Sequence, residues 1–395
     1  MTLQTSLFTA HPYDDITLET LFDRGGGKWG RYDRDVISAC TVETDFPVAG
    51  AVQSRIMEMV EAGRTGYANF PKPPLHLFEA WAGFSDRHFG WAPDAALSFC
   101  TDYPTNGLSE AMRALLEPGS EVAYTTPGFA SVVGIIERAG LVPRQINHAL
   151  QLDRPAEYMD LDVIEAAFAD GVRAFVLINP HHPHGFVASR DHLAAFAALA
   201  DRYGVRVFAD EVFAPSTFPG ETFTPFASLD AESARRSVTV TTGSKVWNLR
   251  AFPAAILYAA DEATAVTLRT PGMDRVMSQA SFVGTEALVT ALTSTDGWLA
   301  SFTAYLDRNA RFVEEEFPKL LPGIRIARAA SGFTVWLDLG EFGVDEPTPY
   351  LIEHAKVGMS RGQHFGPEGF RCVRLNIGTP THVLAEIGSR MAAAL

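Results

Sequence analysis

Cysteine is scarce: Cys40, Cys100 and Cys372 are the only three in 395 residues, odd in number and widely spaced. Neither a disulfide framework nor a zinc motif can be read from them, and a reducing, cytoplasmic setting is expected. Long apolar runs are missing too. No stretch approaches the roughly 18 residues needed to span a bilayer, and the opening MTLQTSLFTAHPYDD has no basic start followed by an apolar core. Membrane insertion and secretion are both disfavoured. Positive charge is in deficit, with 32 Lys and Arg against 47 Asp and Glu and a formal charge of -15. Such a surface repels phosphate backbones and anionic membranes, so nucleic acid is not an expected partner. Repeats, low-complexity tracts and charge blocks are absent as well.

What is present is the composition of a folded enzyme: 47% apolar and 20% charged residues, with 32 Gly and 24 Pro. The length exceeds what one core usually holds, so two lobes are expected. Between about residues 100 and 260, short β-branched or aromatic runs alternate with amphipathic segments, the pattern of βα units around a mostly parallel sheet. The strands are expected at 121–125, 144–147, 173–179, 205–210, 237–242 and 254–259. Among the helices, SRDHLAAFAALADRYG is the clearest. Ser189 is its N-cap, Leu193, Phe196, Ala197 and Ala200 form one apolar face, and Gly204 stops it. After residue 262 come long helical patterns and then the strand-like GFTVWLDLG and RCVRLNIG, which read as a smaller α+β lobe. The expected division is an N-terminal segment over 1–48, a large α/β domain over 49–285 and a small domain over 286–395.

Three places carry candidate chemistry. In TTGSKVWNLRAF, Lys245 follows a strand at the point where the chain leaves the sheet. Such a lysine is ordinarily solvated, but with a lowered pKa it can form a Schiff base with an aldehyde cofactor. In VRVFADEVF, a continuous apolar strand ends at Asp210, where α/β sheets place their ligands. A buried carboxylate there demands a cationic partner. In RLNIG, Arg374 alternates with apolar neighbours on a strand, and its planar fork suits a carboxylate. A fourth stretch, NPHHPHG over 179–185, offers three histidines. Without a nearby Cys or carboxylate pair to complete a site, no metal is expected.

Taken in order, the Asn-Pro loop, strand-end Asp, Ser-Lys and late Arg-x-Asn resemble the fold-type I family of pyridoxal-phosphate (PLP) enzymes, over nearly the whole chain. The opening FDRGGGKWGRYDRDVISACTVETDFPVAGAV, followed by RTGYANF, EPGSEV, TPGFAS and RLNIGTP, resembles the carbon–sulfur β-lyases of the cystathionine β-lyase (MalY/PatB) type. The resemblance implies an α/β fold with a mostly parallel seven-stranded sheet and a homodimer whose active site is shared. It implies that Lys245 holds the cofactor as an internal aldimine and then takes the Cα proton. Asp210 would keep the pyridine nitrogen protonated, and Phe129 would stack on the ring. Tyr103, Pro104 and Thr105 would form the phosphate cup at a helix start, helped by Thr242, Ser244 and Tyr67 of the neighbouring subunit. Arg374 would grip the substrate carboxylate, and Lys28 and Trp29 belong to the substrate side.

Several positions depart from the family pattern. The loop usually reads N-P-x-N-P-x-G, its second Asn donating to the cofactor's phenolic O3′. Here Asn179 is kept and His182 replaces the second Asn, bringing a side chain whose charge varies near neutrality. Phe213 stands where a Tyr is common, Pro253 where many aminotransferases carry a phosphate-binding Arg, and Tyr103 where a Gly is usual; Arg250 is the nearby cation that could compensate. The expected reaction is β-elimination from an S-substituted L-cysteine. The alternatives are an O₂-dependent decarboxylating oxidative deamination giving an aldehyde, as in lyase-like enzymes that tailor lincosamide antibiotics, and transamination. A non-catalytic binding module is disfavoured by the presence of both Lys245 and Asp210.

Overall fold

The computed structural model describes residues 11–66, 74–147 and 154–395. Its large sheet runs, edge to edge, Ser98–Thr101, Ala255–Ala259, Val238–Thr242, Arg206–Asp210, Ala174–Ile178, Glu121–Thr126 and Val142–Asn147. The last five of these pair in parallel, while Ala255–Ala259 lies antiparallel to both of its neighbours. The seven-stranded, mostly parallel sheet expected from the sequence is therefore present. Six strands fall within a few residues of their expected places. The seventh, Ser98–Thr101, escaped notice because SFCT is four residues long with a polar residue at each end.

Parallel strands are buried on both faces, which is why AFVLI over Ala174–Ile178 reads as an unbroken apolar run. The helix Arg190–Tyr203 covers one face. Ser189 accepts a hydrogen bond from the His192 N–H at 3.2 Å, Gly204 ends the helix at φ 64°, and Leu193, Phe196, Ala197 and Ala200 are all buried.

A second, antiparallel sheet orders Ser360–Arg361, Cys372–Asn376, Thr334–Asp338 and Arg325–Ala327. The helix Asp296–Leu320 packs beside it through Phe302, Leu306, Val313 and Phe317. The N-terminal segment adds a two-residue strand, Ile37–Ser38, parallel to Val357–Gly358. Among the described residues no helix is long and apolar enough to cross a membrane.

The functional consequence lies in strand order. Val238–Thr242, Arg206–Asp210 and Ala174–Ile178 are consecutive neighbours, so the loops leaving their carboxyl ends are brought side by side although they lie far apart in sequence. Asp210 ends the middle strand, and the loops after the other two carry Lys245 and the NPHHPHG stretch. Ser189→Ala should remove the helix cap and lower unfolding stability by about 1 kcal/mol. The midpoint of urea denaturation would fall with an unchanged slope, whereas an unshifted midpoint would mean that the cap contributes nothing.

Candidate active site

A cavity of about 350 Å³ opens at the carboxyl ends of these strands, with Ile178, His182, Asp210, Ser244 and Lys245 in its wall. The opposite side is supplied by Tyr103, Pro104 and Thr105, the start of the helix Pro104–Leu115. Pro104 has no N–H to leave unsatisfied at the first helical position. Asp102 accepts from the Tyr103 N–H at 2.7 Å and from Asn106 Nδ2 at 2.7 Å, which sets the turn. The Thr105 N–H has no partner among the described residues, so one backbone donor at the positive end of a helix is left for an anion. Arg250 joins this wall with its guanidinium 3.8 Å over the Tyr103 ring.

Burial governs the titrating groups. Asp210 is 6% exposed. Desolvation pushes its carboxyl up to about 6, against the opposing pull of the Val212 N–H and the Lys245 charge. Desolvation also lowers Lys245 to about 8; Asp210 opposes that fall while Arg250 and Arg374 add to it. The neighbouring Glu211 takes no part in the cavity. It accepts from the Phe226 N–H at 2.8 Å and from the Tyr258 hydroxyl at 3.2 Å, and burial raises it to about 8. Of the two acids in VFADEVF, the strand's alternation gives only Asp210 to the site.

A second cavity, about 500 Å³, shares Val42, Phe129, Ser131 and His182 with the first. Arg374 lines this one. It is 5% exposed; its Nη1 donates to His182 Nε2 at 3.1 Å, and its Nη2 to the Thr41 carbonyl at 3.2 Å and to Ser360 Oγ at 2.7 Å. No carboxylate of the described residues pairs with it. His182 stacks on Phe213 with ring centroids 5.4 Å apart and 9° between planes, and Phe129 stands edge-on to it at 6.4 Å.

The remaining expected residues fall elsewhere. Asn179 lies under the loop, its Oδ1 accepting from the Ala188 N–H at 3.0 Å, and its buried Nδ2 has no partner. Thr242 stands back from the cavity, its hydroxyl donating to the Ala254 carbonyl at 2.8 Å and accepting from the Ser244 N–H at 3.1 Å. Lys28 and Trp29 do not line either cavity. Both are buried against Asp45, Lys28 Nζ lying 2.8 Å from Oδ2 and Trp29 Nε1 2.7 Å from Oδ1. A buried ammonium needs such a partner, and this one fastens the N-terminal segment. That segment in turn brings Thr41 and Val42 to the cavities. Tyr67 lies outside the described residues.

His182 departs from the charge behaviour expected of it. Burial, with Arg374, Lys245 and His181 nearby, lowers its pKa well below the ordinary value, so it is neutral at physiological pH. His181 and His184 stack at 5.0 Å in the adjoining core, and no group of three or more metal-ligating side chains occurs among the described residues. Sequence reasoning missed Arg138 in the first cavity and Arg31, Arg361 and His364 in the second. Arg31 stands in the quoted opening stretch, two residues after Trp29, but nothing there marks it as a site residue, and the other three sit in no recognisable motif. Thr41 was missed as well, although its φ of 36° is rare for a β-branched residue and is held by Arg374 and Asn376, which both donate to its carbonyl.

The site fits pyridoxal phosphate on its own chemistry. It offers a lysine poised near neutrality, a buried acid with no full countercharge, and a helix start with a free donor. Residues 92–390 match the family model described as aminotransferase class I and II. A cystathionine β-lyase of Corynebacterium glutamicum is 29% identical over 380 residues, covering 96% of this chain and 99% of the relative. A crystal structure from Corynebacterium diphtheriae, assigned as a PLP-dependent β-cystathionase, is 28% identical with a TM-score of 0.88, covering 96% of this chain and 98% of that one. The PLP-bound C–S lyase of Staphylococcus hominis shares the fold, with a TM-score of 0.85 at 19% identity over 97% and 98% of the two chains.

Two outcomes follow from the burial. Because the Asp210 pKa is raised in the folded state, the native cofactor-free protein holds a proton there that the unfolded chain has lost, and stability falls as pH rises from about 4 to about 6. Asp210→Asn should flatten that part of the pH–stability curve, measured by thermal melts, while weakening cofactor binding. An unchanged curve would place the proton elsewhere. Lys28→Met removes one partner of a buried pair and should cost about 3–5 kcal/mol in denaturant unfolding; a loss below 1 kcal/mol would show that Asp45 is adequately solvated without it.

Proposed function

The chain belongs to the aminotransferase class I and II family, and we propose that it is a pyridoxal-phosphate-dependent carbon–sulfur lyase. It takes an S-substituted L-cysteine to a thiol, pyruvate and ammonia. The observation that carries the reading is the convergence of Lys245, Asp210 and the Pro104–Leu115 helix start on one cavity, joined through His182 to Arg374. The names of the C. glutamicum and C. diphtheriae relatives support the same reaction class.

The bound cofactor supplies an electron sink for the charge left when the Cα proton departs. Every other task belongs to the protein. Lys245 would hold the cofactor through its aldehyde and would receive the Cα proton at Nζ; its lowered pKa leaves a useful neutral fraction near neutral pH. Asp210 holds a proton on the ring nitrogen, and the ion pair so formed offsets the cost of burying its charge. Thr105, Ser244 and Arg250 would hold the phosphate, and Phe129 and Phe213 would flank the ring, since all five line the same cavity. Arg374, a buried cation with only neutral acceptors, binds the substrate carboxylate and orients Cα toward Lys245. Asn179 steadies the loop that carries His182. The Lys28–Trp29–Asp45 cluster acts on substrate through the position of Thr41 and Val42.

The second cavity, which adjoins the first and carries Arg374, is the place for the group on sulfur. The finer reading, a role in assembling sulfur-containing natural products, extends the family resemblance of the sequence. The working enzyme is a homodimer, as the family resemblance implies.

Purified protein should be yellow, and Lys245→Ala should lose both the visible band and at least about 10²–10⁴-fold in turnover. With S-alkyl cysteines, equimolar thiol and pyruvate are expected. Oxygen uptake with CO₂ release would instead mean decarboxylating oxidation, and dependence on an added 2-oxo acid would mean transamination. A colourless wild type after reconstitution would overturn the whole assignment.

A further inference from the structure

We propose that His182 is a positioning residue that couples Arg374 to the cofactor cavity: a neutral imidazole held with its proton on Nδ1, whose donor strength follows the occupancy of Arg374 by a carboxylate. The proposal goes beyond the lyase assignment and rests on it only for Arg374 as the carboxylate-binding group.

The tautomer follows from hydrogen-bond inventory. A guanidinium has five N–H donors and no acceptor. Burial lowers Arg374 only to about 10, so it remains charged at neutral pH. In the 3.1 Å contact, Nη1 must therefore donate and His182 Nε2 must accept. The ring proton is then on Nδ1. Protonating Nε2 as well would set N–H against N–H beside a cation, in a pocket from which water is largely excluded. The charged or titratable groups facing the ring are Arg374 from the strand Cys372–Asn376, Lys245 beyond Val238–Thr242, and His181 from its own loop; Asp210 lines the same cavity. The other neighbours, Phe129, Phe213 and Phe365, are apolar.

The Nδ1–H has no partner among the described residues, although His182 lines both cavities. Stacking on Phe213, with Phe129 and Phe365 edge-on, holds the ring plane. A fixed donor is thus presented to an acceptor that the protein itself does not supply. The bound cofactor's phenolic oxygen has that chemistry.

Coupling follows from the donors of Arg374. Three contacts are made, to His182, Thr41 and Ser360, while its buried Nε has no partner. One N–H also remains on Nη1, on the nitrogen that His182 already engages. A carboxylate bound there cancels the charge bearing on Nε2 and competes for Nη1. The imidazole becomes more electron-rich, and what Nδ1–H offers to the cavity changes before any bond of the substrate is broken. An asparagine also carries an acceptor and a donor, joined by amide resonance, so His182→Asn should keep the link between Arg374 and the cavity while His182→Leu breaks it.

The test is ¹⁵N NMR of histidine-labelled holoenzyme, with the His182 signals assigned by their loss in His182→Asn. Nε2 should resonate as unprotonated and Nδ1 as protonated, unchanged from about pH 6 to about pH 8. An Nε2–H tautomer, or titration within that range, would overturn the proposal. Adding L-alanine, which carries the carboxylate but no leaving group, should shift the Nε2 signal. Ethylamine, which lacks only the carboxylate, should leave it in place; an equal shift by both ligands would refute the coupling. Binding of L-alanine should weaken at least roughly tenfold in His182→Leu and stay within roughly threefold in His182→Asn, the sizes expected for losing or keeping one charge-assisted hydrogen bond. Wild-type affinity in His182→Leu would refute the positioning role. None of these readouts needs carbon–sulfur cleavage, so they stand apart from the outcome of the lyase assay.

Discussion

A guanidinium taken out of water must find partners for its N–H groups, and the position of Arg374 makes that requirement shape the whole site. Its acceptors come from three separate parts of the chain: His182 in the loop after a central strand, Thr41 in the N-terminal segment and Ser360 in the small sheet. Asn376, two residues on and therefore on the same face of the strand, also donates to the Thr41 carbonyl, at 3.1 Å. The Arg-x-Asn spacing is thus a clamp on one backbone carbonyl. The positive φ of Thr41 is the local strain that the clamp holds in place.

The same clamp explains why the N-terminal segment is necessary to a site built mainly by the large sheet. Arg24 donates to the Asp45 carbonyl, while Lys28 and Trp29 bind the Asp45 carboxylate. The Asp45 N–H donates to Gly378, just beyond the Arg374 strand. Residues 41 and 42 lie between these anchors, and with Phe46 stacked on Tyr13 at 4.2 Å they have little freedom to move. Lys28 and Trp29, which helped to make the opening segment recognisable, are fasteners: both are buried on Asp45 and line neither cavity.

Solvent exclusion has a second effect. It displaces both Asp210 and Lys245 toward their neutral forms. In water these groups would be an acid and a base separated by several pKa units; in the cavity they lie near one another and near physiological pH. Pairing with a cationic ring nitrogen would let Asp210 ionise, and a neutral Lys245 is the form that reacts with an aldehyde. His182 is pushed the same way, and its hydrogen bond with Arg374 gives the neutral imidazole one orientation of its proton.

Much of this was legible in the linear chain. Continuous apolar runs marked the buried parallel strands because both faces of such a sheet are covered, and Ser189 and Gly204 marked helix ends because capping is a local matter. Lys245, Asp210 and Arg374 could be singled out from residue type and strand-end position. Ser98–Thr101 could not, since four residues carry too little periodicity; neither could Arg138, Arg361 or His364, whose sequence surroundings are ordinary, nor Arg31, which the opening stretch contains without marking its role. What the sequence by itself determined was the inventory: which strands are buried, where the loops leave them, and which side chains can bear the chemistry. Only the tertiary structure decided that Asp210 and not Glu211 faces the cavity, that Lys28 and Trp29 pin a segment, and that His182 accepts from Arg374. Those outcomes depend on strand order and on burial shared between distant parts of the chain, and long-range desolvation leaves no mark on local sequence.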